Sequence, residues 1–155
     1  MRNSPDQLLA AIVPQAPALT ALHMAHCSLA GSHTLAALAQ ATTRLRSLVL
    51  NFCNAAALPA GPYLQGLEEL TLLGNRFPSL PPALVVAGSL TRLVFHNGSH
   101  DWQSPLVLSV ADVDNVLAHL PALRKLTTKA RCVPEPARER LAAALPQLQV
   151  VLINK

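Results

Sequence analysis

One phrase recurs six times along the chain, and it leaves few folds open. Its cleanest copy is Leu67-x-x-Leu70-x-Leu72-x-x-Asn75. Earlier copies read Leu45-x-x-Leu48-x-Leu50-x-x-Cys53 and Leu19-x-x-Leu22-x-Met24-x-x-Cys27. Later copies are looser: Leu90-x-x-Leu93-x-Phe95, Leu123-x-x-Leu126-x-Thr128 and Leu148-x-x-Val151-x-Ile153. Alternate leucines fall on one face of a short strand. Recurrence at a near-fixed interval implies stacked units, none able to bury its apolar face alone. A chain spent on stacking leaves little for an independent catalytic core.

The copies begin at 19, 45, 67, 90, 123 and 148, in steps of 26, 22, 23, 33 and 25 residues. Between them lie return segments. Residues 34–41, 109–120 and 135–145 carry apolar positions at helical spacing. Ser109 is a candidate N-cap, with Asp112 three residues on as a capping-box partner. Residues 80–84 are proline-rich, which predicts an extended or 3₁₀ return. The long 33-residue step holds an insertion at about 96–108. Residues 5–18 read as a half-repeat whose helix is capped by Ser4, with Pro5 at its first position. The whole chain, 1–155, is then one domain. No polar cap is recognisable at either end, so the expectation is a segment of a longer array, or ends that self-associate or are covered by a partner.

The repeats resemble the leucine-rich repeat family over residues 5–155. The implied fold is an α/β solenoid, an arc of about six repeats. Short parallel strands would line its concave face, and helices or 3₁₀ segments its convex face. The first copy, with Cys27, Leu29, Leu35, Leu38 and Ala39, resembles the cysteine-containing repeats of F-box receptor arrays. That resemblance implies the substrate-recognition part of a ubiquitin-ligase adaptor, without the F-box module itself. Asn75, Phe77, Leu80 and Leu84 look more like the generic intracellular form.

Composition narrows the function. The chain is 51% hydrophobic but only 3% aromatic, so Leu, Val and Ala must form thin regular layers. A net charge of +4 falls short of a dedicated nucleic-acid binder. Arg124, Lys125, Lys129 and Arg131 nevertheless cluster over 124–131, and basic-surface binding of nucleic acid or acidic partners is the alternative function. No apolar run reaches the roughly 18 residues of a membrane span, and the N-terminus lacks a signal-peptide layout. Three widely spaced cysteines without a CxxC pair suggest reduced thiols in an intracellular, cytoplasmic protein.

Cys27, Cys53 and Asn75 occupy the ladder position, where a small polar side chain satisfies turn backbone. Arg131 holds the equivalent spot in the fifth copy, leaving Cys132 out of place. A nucleophilic cysteine served by His23 or His26 needs a depressed thiol pKa, for which the sequence offers no cause. His96, His100 and Asp101 lack a fourth metal ligand, and Gly98 interrupts any shared helical face. Asn97-Gly98-Ser99 is a glycosylation sequon, meaningful only in a secreted chain. Trp102 is expected to fold back on the core. No enzyme activity, cofactor or metal is expected. The partner site falls on the residues between the leucines. The middle row is His23, Val49, Thr71, Val94, Thr127 and Leu152. Its flanks are Ala21, Ser47, Glu69, Arg92, Lys125 and Val150 on one side, and Ala25, Asn51, Leu73, His96 and Lys129 on the other. Val49, Thr71, Leu73 and Val94 form an apolar centre with Glu69, Arg92 and His96 at its rim, which is the composition of a surface that binds another protein.

Overall fold

The computed structural model describes residues 5–29, 33–41, 44–96 and 106–153 of the 155. Among them are six strands: β1 Ala21–Ala25, β2 Ser47–Asn51, β3 Glu69–Leu73, β4 Arg92–His96, β5 Lys125–Lys129 and β6 Gln149–Ile153. They form one parallel sheet in chain order. Neighbouring parallel strands need a return segment between them. Helix α2 (His33–Gln40) serves β1 to β2, and α4 (Glu135–Ala144) serves β5 to β6. The intervening returns are 3₁₀ turns at Pro62–Leu64 and Pro82–Val86, and α3 (Val110–Asn115) followed by Leu117–His119. Helix α1 (Pro5–Ile12) precedes β1. The fold is therefore the α/β leucine-rich repeat arrangement.

Five strands are entered through the same turn. The N–H of the opening leucine donates to the carbonyl three residues back: Leu19 to Ala16, Leu67 to Leu64, Leu90 to Ala87, Leu123 to Leu120 and Leu148 to Leu145, all at 2.9–3.2 Å. The core lies between sheet and returns. Leu48, Leu50, Leu70, Leu93, Phe95 and Leu126 face it with no exposed surface, opposite Leu35, Leu38, Leu64, Leu84 and Leu117. Full burial of each such side chain stabilises by about 1.5–3 kcal/mol.

Three local features follow from sequence chemistry. Ser109 Oγ accepts from the Asp112 N–H at 3.0 Å, while the Ser109 N–H donates to the Asp112 carboxylate at 2.8 Å, a complete capping box. Proline before and inside 82–86 keeps that return in the 3₁₀ form. Helix α3 ends sooner than the 109–120 periodicity predicts, because its last turn tightens to 3₁₀, as helix ends often do. The apolar set Val113, Val116, Leu117 and Leu120 still faces inward.

The last copy departs from expectation. Leu148 enters in phase, but Leu126 pairs with Val150 and Thr128 with Leu152. The phrase is one residue short between Leu148 and its strand. A one-residue slip turns every side chain over. Val150 and Leu152 therefore take the inward positions, and Leu152 packs on the core. Gln149, Val151 and Ile153 take the outward rows instead of Val150 and Leu152.

Candidate protein-binding face

The register assembles the outward rows strand by strand. Val49 pairs with Thr71, and Thr71 with Val94. Leu73 lies between Asn51 and His96, and Glu69 between Ser47 and Arg92. Val49, Thr71, Leu73 and Val94 are all half-buried, neither core nor fully solvated. The Glu69 carboxylate and Arg92 guanidinium pair at 3.3 Å across two strands. Arg46 and Glu68 pair one position earlier. Among the described residues no carboxylate pairs with Lys125, so the flank carries one uncompensated cation. The structure thus brings together every residue assigned to the centre and rim.

The basic cluster is dispersed instead of forming one stripe. Lys129 stands in an outward row yet is only 7% exposed. The Arg124 guanidinium turns back onto the carbonyls of Pro121 and Leu123, at 3.0 and 3.3 Å. Both arrangements reduce the charge available to a phosphate backbone.

At the ladder, Asn75 is 1% exposed and fully engaged. Its Oδ1 accepts from the N–H groups of Cys53 and Ala55, at 3.2 and 3.1 Å. Its Nδ2 donates to the carbonyls of Leu50 and Leu73, at 2.8 and 3.1 Å. Cys53 repeats the donor half: its thiol donates to Met24 and Asn51, the equivalent carbonyls one repeat back, at 3.4 and 3.3 Å. Cys27 donates to Ala25 at 3.3 Å. Burial pushes the Cys53 thiol pKa up, the opposite of what a nucleophile needs. Cys132 takes the equivalent place in the backbone pattern. Its carbonyl accepts from the Leu108 N–H at 2.7 Å, as the Cys53 carbonyl accepts from Leu29 at 2.8 Å. The 3₁₀ turn Ala130–Cys132 delays it by one residue, so Arg131 is exposed and Cys132 buried.

The sequence reading missed the shelf at the carboxyl edge of the strands. His26, Phe52 and Gly74 follow their strands at equivalent positions, with φ of 54°, 54° and 61°. Each donates its N–H to the end of the next strand: His26 to Asn51, Phe52 to Leu73 and Gly74 to His96, at 2.7–2.9 Å. The left-handed region suits glycine. A bulky residue there is an outlier, costing about 1–3 kcal/mol. Phe52 is nevertheless 43% exposed, stacked on His26 at 5.1 Å between centroids and 3° between planes. On its other side the ring covers Gly74, where a Cβ would collide with it. The available signal was alignment: Gly74 marks the left-handed site in its own copy, and His26 and Phe52 stand at that site in theirs. His100, Asp101, Trp102 and the sequon lie outside the described residues.

No family model matches the chain. Tubulin-specific chaperone E of Danio rerio is 30% identical over 132 residues, covering 83% of this chain and 24% of that protein. The chain thus spans about a quarter of the length of that curated relative. A solved leucine-rich repeat protein of Leptospira interrogans is 17% identical and aligns with a TM-score of 0.46, over 85% of this chain and 36% of that one. No helix among the described residues is long and apolar enough to cross a membrane. The recurring phrase, its register through six parallel strands and the hydrogen bonds of Asn75 and Cys53 together give this chain a leucine-rich repeat fold.

Proposed function

We propose that the chain is a non-enzymatic protein-recognition module whose partner docks on the outward, concave side of the sheet. The observation that carries this reading is the single row Val49, Thr71 and Val94, half-buried and apolar at its ends, with the Glu69–Arg92 pair beside it. Leu73 extends the centre and His96 closes the rim. Such a patch gains from desolvation at its middle and from charge at its edge. The Danio rerio relative is by name specific for tubulin, which makes tubulin the first partner to test. The receptor half of a ubiquitin-ligase adaptor is the narrower alternative, supported by the cysteine-type repeat around Cys27.

The test is capture of purified tubulin by the intact chain, with Val94→Asp and Arg92→Ala as variants. Val94→Asp places an unpaired charge in the desolvated centre, so capture should collapse while the melting temperature moves little. Arg92→Ala should do less, because rim charges mainly tune association rate and salt dependence. If capture survives Val94→Asp but is lost on neutralising Arg124, Lys125 and Lys129, the basic-surface reading is right and this one is wrong. Ligase components recovered from cell extract in place of tubulin would favour the adaptor role.

A further inference from the structure

Among the described residues, Phe52 combines positive φ with a large exposed ring. It is a large apolar ring in a left-handed turn, held nearly half exposed between His26 and Gly74. The turn itself needs only a residue that tolerates positive φ, and the next copy meets that need with Gly74. Neither core packing nor turn geometry accounts for an exposed ring. Its neighbours on the sheet explain what it could meet. Leu73 accepts the Phe52 N–H through its carbonyl, and its own side chain, in the outward row, is half-buried. Ala25, the last residue of β1 and the partner of Asn51, has a short side chain and is itself exposed.

Charge fixes the other end of the surface. Glu69 and Arg92 neutralise one another, and Lys125 beside them has no acidic partner among the described residues. Lys125 lies three strands from β2 and at the opposite strand end from Phe52. With strands ~4.8 Å apart and ~3.3 Å per residue along them, the diagonal is about 22 Å. An extended segment of about seven residues covers that span.

Resting on the protein-recognition reading above, we infer that this face binds a polypeptide segment that sets an apolar side chain on the shelf of Phe52, His26 and Leu73 and a carboxylate against Lys125. Rigid aromatic anchors of this sort carry a large share of binding energy where they can be fully covered. Lys125 sets direction along the diagonal and makes the contact salt-dependent.

The probe is a random dodecapeptide library displayed on phage and selected on the immobilised intact chain. Enriched peptides should combine an apolar residue with Asp or Glu six to eight positions away. Their affinity should fall at least tenfold with Phe52→Asn, which keeps a left-handed-tolerant backbone while deleting the ring. Phe52→Tyr should restore it, and Lys125→Glu should weaken it more at low salt than at high salt. An unchanged melting temperature for Phe52→Asn excludes loss of fold as the cause. Peptides that bind Phe52→Asn as tightly as the unmodified chain, basic consensus sequences, or no enrichment at all would each overturn the inference. Peptides lost with Val94→Asp but indifferent to Phe52→Asn would spare the concave-face reading and sink only the shelf. Indifference to both would sink both.

Discussion

Leu70, Asn75 and Thr71 lie within six positions of one another and should respond differently to truncation. Leu70 has no exposed surface, so Leu70→Ala should cost about 2–5 kcal/mol through lost burial and a cavity. Asn75→Ala deletes four hydrogen bonds at a buried turn and should cost roughly 1–3 kcal/mol or more. Thr71→Ala changes only the outward face and should cost well under about 1 kcal/mol. Chemical denaturation of the three variants checks the order, and equal losses at Asn75 and Thr71 would refute the ladder role. The leucine positions were legible because period two admits only one buried face. The role of Asn75 was legible because its amide can both donate and accept at a turn. Phe52 was not, because a positive φ leaves no mark on a phenylalanine. Only its alignment with Gly74 carries that information.

At the scale of elements, α1 and α2 are joined by a carboxylate. Asp6, 2% exposed, accepts from the His33 and Thr34 N–H groups at 3.0 and 2.8 Å, and the Thr34 hydroxyl donates to the Asp6 carbonyl at 2.9 Å. A residue of one repeat thus caps the helix of the next, where the helix dipole favours negative charge. Burial alone would raise the Asp6 pKa, but the bonds from Thr34 and His33 outweigh it and hold the group below its ordinary 3.8. Because the folded value is depressed, the stabilisation is complete above 3.8 and is lost as pH falls through the folded value. Asp6→Ala should therefore cost about 1–2 kcal/mol at neutral pH. Asp6→Asn should flatten the acid limb of a stability-versus-pH curve, and an unchanged limb would show that another group governs it. The cap supplied by Asp6 was not legible in the sequence, since the partner helix is 27 residues away. Strand register in β6 was misread for a related reason. Spacing fixes a strand only if no residue is lost between turn and strand, and here one is.

At the scale of the whole molecule, both lateral edges of the sheet are open among the described residues. Leu8 and Ile12 on α1 are 51% and 57% exposed, and Ile153 on β6 is 37% exposed. Leu19 and Leu22 are only half-buried, whereas Leu45 and Leu48 in the next repeat are fully covered. Open strands beside apolar surface invite association. Light scattering should find mass rising with concentration, and polar substitutions at Leu8 and Ile12 should suppress that rise. A constant monomer mass would show that the edges are self-sufficient. The order of the repeats was legible throughout, because each copy announces its own start. The joint between β4 and β5 was not, because the inserted residues interrupt the phrase at that point. There the pairing runs over three residue pairs and ends at Val94 and Thr127, while every other joint runs over five. In a one-dimensional stack, cooperativity passes only through nearest-neighbour joints. The short joint is therefore expected to divide the array into two opening units, β1–β4 and β5–β6. In native-state amide exchange under mild denaturant, β5 and β6 should open together at a lower free energy than β2 and β3. A single free energy for all strands would show that three pairs transmit cooperativity as well as five.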